Sequence, residues 1–353
     1  MNKADIRKVI SQSILADGMA PIIDLEKSHG SWLVDKVSGK EYLDLFSMFA
    51  SLSVGYNHPY VLEQSERLRI AAINKPTNSD VYSQEMAEFM HTFKRVAQPD
   101  YLPHTFFIEG GGLAVENALK VAFDWKRRKN LAKGSSAKGE KVIHFKQCFH
   151  GRTGYTMSLT DSPDKRKTMY FPKFDWPRVS NPKITFPLKD NLEHVQELER
   201  QSLHEIKEII AANPDNIASI ILEPIQGEGG DNHFRCEYMQ ALREIADEND
   251  IMLIYDEVQT GIGITGKMWA HQHFSSGGCE TGCGCAEGLS AKPDIISFGK
   301  KTQVCGIAAS ARVDEVEGNV FQESSRINST WGGSLVDMVR LTIYLELIER
   351  DNL

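Results

Sequence analysis

Two short apolar runs, each ending at an ionisable residue, constrain this chain most. Ile251-Met252-Leu253-Ile254-Tyr255 stops at Asp256-Glu257, and Pro293-Asp294-Ile295-Ile296-Ser297-Phe298 stops at Gly299-Lys300. Runs of this length, rich in Ile and bounded by polar or glycine residues, read as strands buried on both faces. Strands covered on both faces belong to largely parallel sheets, which hold their ligands beyond the strands' carboxyl ends. Asp256 and Lys300 stand at that end, where a charge leaving a buried run needs a partner.

From about Tyr101 onward the chain alternates as such a sheet requires. The pattern predicts strands at His104–Ile108, Lys141–Phe145, Ala218–Leu222, Ile251–Tyr255 and Ile295–Phe298. Helical stretches fall between several of them, at Ala114–Lys129, Leu192–Ala211 and Cys236–Glu248. The expected fold is α/β, a mostly parallel sheet sandwiched by helices. Ahead of it, strand-like runs at 30–35 and 40–45 flank a turn at Ser38-Gly39, and helical patterns cover Val61–Ala72 and Ser83–Val96. The stripe Met86, Phe89, Met90 and Phe93 reads as core packing. Residues 1–55 are expected to open a smaller α+β domain, 56–337 to form the large ligand-binding domain, and 338–353 to begin a C-terminal part of the small domain.

Composition excludes several partners. With 40 basic against 48 acidic residues the net charge is −8, which argues against nucleic acid and against an acidic membrane surface. No apolar run approaches the roughly 18 residues of a membrane span. The opening Met1-Asn2-Lys3-Ala4-Asp5-Ile6 lacks a signal-peptide pattern, and six cysteines do not suggest a disulfide scaffold, so a cytoplasmic protein is expected.

Five stretches carry candidate chemistry, most with a plainer reading. Glu109-Gly110-Gly111-Gly112 runs into a helix, where bare backbone N–H groups suit an oxyanion; a simple strand–helix turn explains it equally well. Phe149-His150-Gly151-Arg152 offers an aromatic for a flat ring and a guanidinium for a carboxylate, or else a core Phe and a solvated Arg. Glu223-Pro224-Ile225-Gln226-Gly227-Glu228 is a source of polar substrate contacts or a solvated loop. Asp256-Glu257-Val258-Gln259 and Gly299-Lys300-Lys301 supply an acid and an amine, with a surface lysine as the plainer reading of Lys300. An acid and a lysine so presented suit pyridoxal phosphate, whose ring nitrogen needs a carboxylate and whose aldehyde needs an amine.

Taken in order, these pieces resemble the class III (ω-amino acid) branch of the fold-type-I pyridoxal phosphate aminotransferases, from about Gly30 to the chain end. Within that family, 74–82, 109–125, 171–178, 299–306 and 328–333 are most similar to the enzymes acting on the ε-amine of lysine. The resemblance implies transfer of that amine from L-lysine to 2-oxoglutarate, with another ω-amino donor (ornithine or 4-aminobutyrate) or a catalytically silent fragment as alternatives. It implies that Lys300 is the Schiff-base lysine and Asp256 the acid on the pyridine nitrogen. Val258 and Phe149 would flank the ring, Gln259 would reach its hydroxyl, and Gly111 and Gly112 would hold the phosphate. Thr330 would reach that phosphate from a second subunit, implying a homodimer. Arg152 would clamp the substrate carboxylate, Glu228 would mask a second arginine until 2-oxoglutarate arrives, and Asn328 would line the substrate pocket.

Two departures from the family follow. Its C-terminal small domain, with the second arginine, lies beyond Leu353, so a C-terminally incomplete sequence is expected. The stretch between Phe274 and Pro293, with Cys279, Cys283 and Cys285, is longer than usual. Its C-x3-C-x-C spacing does not match a zinc knuckle, so an inserted loop without metal is expected.

Overall fold

The computed structural model describes residues 2–275 and 290–353; the three cysteines of the inserted stretch lie outside them. The strands in chain order are β1 (Trp32–Val34), β2 (Glu41–Leu43), β3 (His104–Ile108), β4 (Lys141–Phe145), β5 (Arg178–Val179), β6 (Ile217–Leu222), β7 (Ile225–Gln226), β8 (Asn232–His233), β9 (Met252–Asp256), β10 (Ile295–Phe298) and β11 (Cys305–Ala309). Seven of them form one sheet in the order β3-β11-β10-β9-β6-β4-β5. The pairs β10/β9, β9/β6, β6/β4 and β4/β5 are parallel, whereas β11 is antiparallel to both of its neighbours. The predicted α/β architecture is therefore present, with β5 and β11 added to the expected strands.

The continuous apolar runs follow from cover on both faces. Along β9, Leu253 and Tyr255 enter one core with Phe89, Phe93, Phe298 and Leu341, while Met252 and Ile254 enter a second with Val115, Leu119 and Trp125. Successive side chains point to opposite faces, so from Met252 to Tyr255 every position is buried among apolar neighbours, and the first buried polar residue is Asp256 at the strand's carboxyl end. The long helix Gly111–Ala132 covers one face, and Gln84–Val96, Cys236–Glu248 and Leu335–Asp351 cover the other. The predicted stripe on Gln84–Val96 does pack into the core: Phe89 and Phe93 are buried, with Met86 and Met90 against them.

The helix Leu335–Asp351 crosses the 337/338 boundary drawn from the sequence, and Met338, Val339, Leu341, Ile343 and Leu345 belong to the same core as the sheet. Arg340 and Arg350 both sit on this helix and pair with Asp337 and Asp351. Among the described residues no helix is long and apolar enough to cross a membrane.

Candidate active site

The carboxyl ends of β6, β9 and β10 and the start of the helix Gly111–Ala132 converge on one cavity. Gly111, Gly112, Phe149, His150, Gly151, Glu223, Glu228, Asp256, Val258, Gln259 and Lys300 line it. Register explains the first pairing. Parallel β9 and β10 are neighbours with Asp256 opposite Ser297, so Asp256 closes one strand and Lys300 follows two residues after the other ends. The two groups far apart in sequence are thus delivered to the same rim.

Asp256 is buried, and three groups hold its carboxylate. One carboxylate oxygen lies 2.7 Å from His150 Nδ1; the other accepts from the Val258 backbone N–H and Ser297 Oγ, both at 3.1 Å. Burial pushes the His150 imidazole down, but Cys148 and Asp256 beside it push it up further, and the net direction is well upward. Glu223 lies behind the pair, accepting from the backbone N–H of Phe149 at 2.8 Å and of Gly227 at 3.3 Å. Its carboxyl is raised to about 7, first by burial; His150 counteracts this and Asp256 reinforces it.

Lys300 Nζ donates to Gln259 Oε1. Burial lowers the amine's pKa, opposed by the charges of Asp256 and Glu223. Its backbone sits at φ +54°, in the left-handed region that a lysine seldom occupies. Opposite it, the helix begins at Gly111 with no side chain capping it, leaving N–H groups of the first turn facing the cavity. A Cβ on Gly111 would lie 3.0 Å from Val258 Cγ1, and one on Gly151 would lie 2.9 Å from the Gly112 Cα. Glycine is what lets these segments close on one another.

Eight sequence-predicted residues therefore meet in one place: Gly111, Gly112, Phe149, Glu228, Asp256, Val258, Gln259 and Lys300. Glu228 pairs with Lys167 and accepts from Ser162 Oγ at 2.7 Å. Arg152 is exposed, its guanidinium 5.8 Å from the Phe149 ring centroid. Asn328 and Thr330 are exposed and line no part of this cavity. From the sequence His150 said little by itself, Glu223 stood between two readings, and Lys301 had no assigned role, yet Lys301 is 4 % exposed. Glu223 carried the same signal as Asp256, an acid at the end of an apolar strand; nothing local marked the other two. A larger groove of about 1120 Å³, bordered by Phe123, Tyr155, Phe174 and Trp176, contains none of these groups. Two of its cations, Arg128 and Arg326, are already paired with Asp124.

The Aminotransferase class-III family model matches residues 14–353. This chain belongs to that family. It is 49% identical to the L-lysine-epsilon aminotransferase of Mycobacterium tuberculosis and 47% identical to that of Amycolatopsis lactamdurans, over 99% of this chain and 74% and 75% of theirs. A 4-aminobutyrate aminotransferase of Emericella nidulans is 33% identical over 81% of this chain and 58% of its own length. Among solved structures, a lysine aminotransferase from M. tuberculosis superposes with a TM-score of 0.92 at 47% identity, over 100% of this chain and 78% of that one. A transaminase from the marine bacterium Virgibacillus shares the fold at 20% identity, with a TM-score of 0.76 over 99% of this chain and 74% of that one.

Class-III aminotransferases use pyridoxal phosphate, and the residues present fit it. An uncapped glycine helix start suits the phosphate, a buried carboxylate bonded to His150 suits the ring nitrogen, and an amine of lowered pKa suits the aldehyde.

Proposed function

We propose that this protein transfers the ε-amino group of L-lysine to 2-oxoglutarate, giving 2-aminoadipate 6-semialdehyde and glutamate, and works in the cytoplasm. One observation carries the choice of donor. Lysine-epsilon aminotransferases are 47–49% identical over 99% of the chain, against 30–33% for 4-aminobutyrate relatives. The cavity's chemistry supports the reaction class.

Pyridoxal phosphate, when bound, supplies an aldehyde to take up the amine and a ring to draw charge from the carbon being deprotonated. Asp256 would hold a proton on the ring nitrogen, its carboxylate oriented by His150, Ser297 and the Val258 N–H. The Gly111 and Gly112 N–H groups would bind the phosphate, with Phe149 and Val258 against the ring faces and Gln259 at its hydroxyl. Lys300 would hold the cofactor covalently at rest. Once the substrate amine displaces it, Lys300 Nζ would take the proton from Cε of the lysine, a role that burial favours by lowering the amine's pKa.

Arg152, Glu228 and Asn328 would contact substrate. In the present geometry Glu228 is held by Lys167. Thr330, exposed and away from its own cavity, would reach the phosphate of a second copy in a homodimer. A donor panel of lysine, ornithine and 4-aminobutyrate with 2-oxoglutarate, following glutamate, tests the proposal. Lysine should give the highest kcat/KM by at least roughly tenfold; faster turnover of either other donor overturns the assignment.

A further inference from the structure

The two adjacent lysines grip opposite ends of one residue. Lys300 Nζ donates to the side-chain oxygen of Gln259, and Lys301 Nζ donates to its backbone oxygen at 2.6 Å. Lys301 is 4 % exposed, and burial, then the charge of Lys300, lowers its amine to about 8 against the opposing pull of Glu257. A buried ammonium held on a single neutral carbonyl is expensive unless its position serves something.

The turn it grips is fixed elsewhere too. Glu257 is buried and accepts from the backbone N–H of Ala270 at 3.1 Å and His271 at 2.8 Å, from His271 Nδ1 at 2.8 Å, and from Thr260 Oγ1. On the other side, Gly227 presses on Gln259 so closely that a Cβ there would lie 2.9 Å from Gln259 Cγ. Gln259 is therefore walled by Gly227, anchored through Glu257 two residues earlier, and tied at its own carbonyl by Lys301. What remains is its side chain, which meets Lys300.

We infer that Lys301 is a positioning residue: by tying the Gln259 carbonyl it holds the Gln259 amide against Lys300, and so sets where the reacting amine rests. The inference rests on Lys300 being the amine that holds the cofactor. It makes the lysine pair a functional unit, one member reacting and the next aiming the residue that restrains it.

The test reads Lys300 directly in cofactor-free protein, by its acylation rate at pH 8 with acetic anhydride followed by peptide mass spectrometry. Four proteins are compared: wild type, Lys301→Met, Gln259→Leu and the double variant. Freed from Gln259, the amine should acylate faster by roughly three- to tenfold, as loss of one hydrogen bond allows. Lys301→Met should give most of the Gln259→Leu increase, and the double variant no more than Gln259→Leu alone, because both act through one contact. Lys301→Arg, which keeps a charged donor, should return the rate to within about twofold of wild type. If Lys301→Met does not fold, Lys301→Gln, too short to keep the tie, replaces it. A Lys300 rate unchanged by loss of Lys301, or a double variant showing the product of both single effects, overturns the inference. Borohydride reduction of the loaded wild type separates the two readings: cofactor fixed on Lys300 leaves the site intact whatever Lys301 does, and cofactor fixed elsewhere sinks both.

Discussion

At Lys300 the backbone takes φ +54°, a conformation that favours glycine, and the side chain carries a charge into a half-buried site. Both costs fall on the residue that must react. Replacing a residue by Gly ordinarily costs about 0.5–1 kcal/mol relative to Ala. Here the order should vanish or reverse: cofactor-free Lys300→Gly should melt no lower than Lys300→Ala, and a clearly lower Tm for the Gly variant would contradict the strain. Glu223 gives a second prediction. Its carboxyl, ordinarily at 4.5, is raised to about 7, so across that window the folded protein keeps a proton that the unfolded chain releases. Its contribution is fully present below about 4.5 and is lost as pH rises through about 7. Urea unfolding should show Glu223→Gln gaining on wild type between pH 5 and 7.5, by up to about 3 kcal/mol. A difference independent of pH would contradict the assignment. The acids were legible in the sequence because a charge ending a buried strand stands out from its surroundings. His150 and Lys301 were not, since their partners Asp256 and Gln259 come from other elements.

At the scale of elements, the strands that position the site read clearly wherever Ile, Leu and Val run together. The ends of β3, β4 and β10 lie where the pattern put them, β6 starts one residue earlier, and β9 is shifted by one residue at both ends. β11 escaped notice because Cys305-Gly306-Ile307-Ala308-Ala309 has small residues and a glycine where β-branched ones advertise a strand. Its smallness has a reason. A Cβ on Gly306 would lie 2.4 Å from the Phe106 carbonyl oxygen and 2.8 Å from the Phe298 ring. Gly306→Ala should therefore destabilise the protein by about 1–3 kcal/mol, and an unchanged Tm would show that the strands can part freely there. The helix Gly111–Ala132 likewise begins three residues before the predicted Ala114, since glycines read as loop although here they form its first turn. Gly111→Ala should push on Val258 and weaken pyridoxal phosphate binding by roughly tenfold, measured by equilibrium titration of cofactor absorbance. Retention of wild-type affinity would remove the helix start from the site.

Over the whole molecule, the sheet and the cores on its two faces account for where the cavity sits, and the sequence order of the motifs was enough to name the fold. What the order of motifs did not convey is which strands are neighbours, because pairing depends on contacts remote in sequence. The chain spans 74–75% of the length of its lysine-epsilon relatives. Thr330 and Asn328 lie exposed outside the cavity that holds the other candidates, so the proposed dimer belongs to this scale. Sedimentation should give twice the 39.6 kDa of one chain, and Thr330→Ala should loosen the cofactor by roughly tenfold through loss of one phosphate contact. A monomer that binds cofactor at full affinity would contradict that arrangement. The most direct test of the account is where the cofactor attaches. Protein loaded with pyridoxal phosphate, reduced with borohydride and mapped by peptide mass spectrometry should carry the cofactor on Lys300, with none retained in Lys300→Ala; label on Lys301 or another lysine, or on the Lys300→Ala protein, would contradict it.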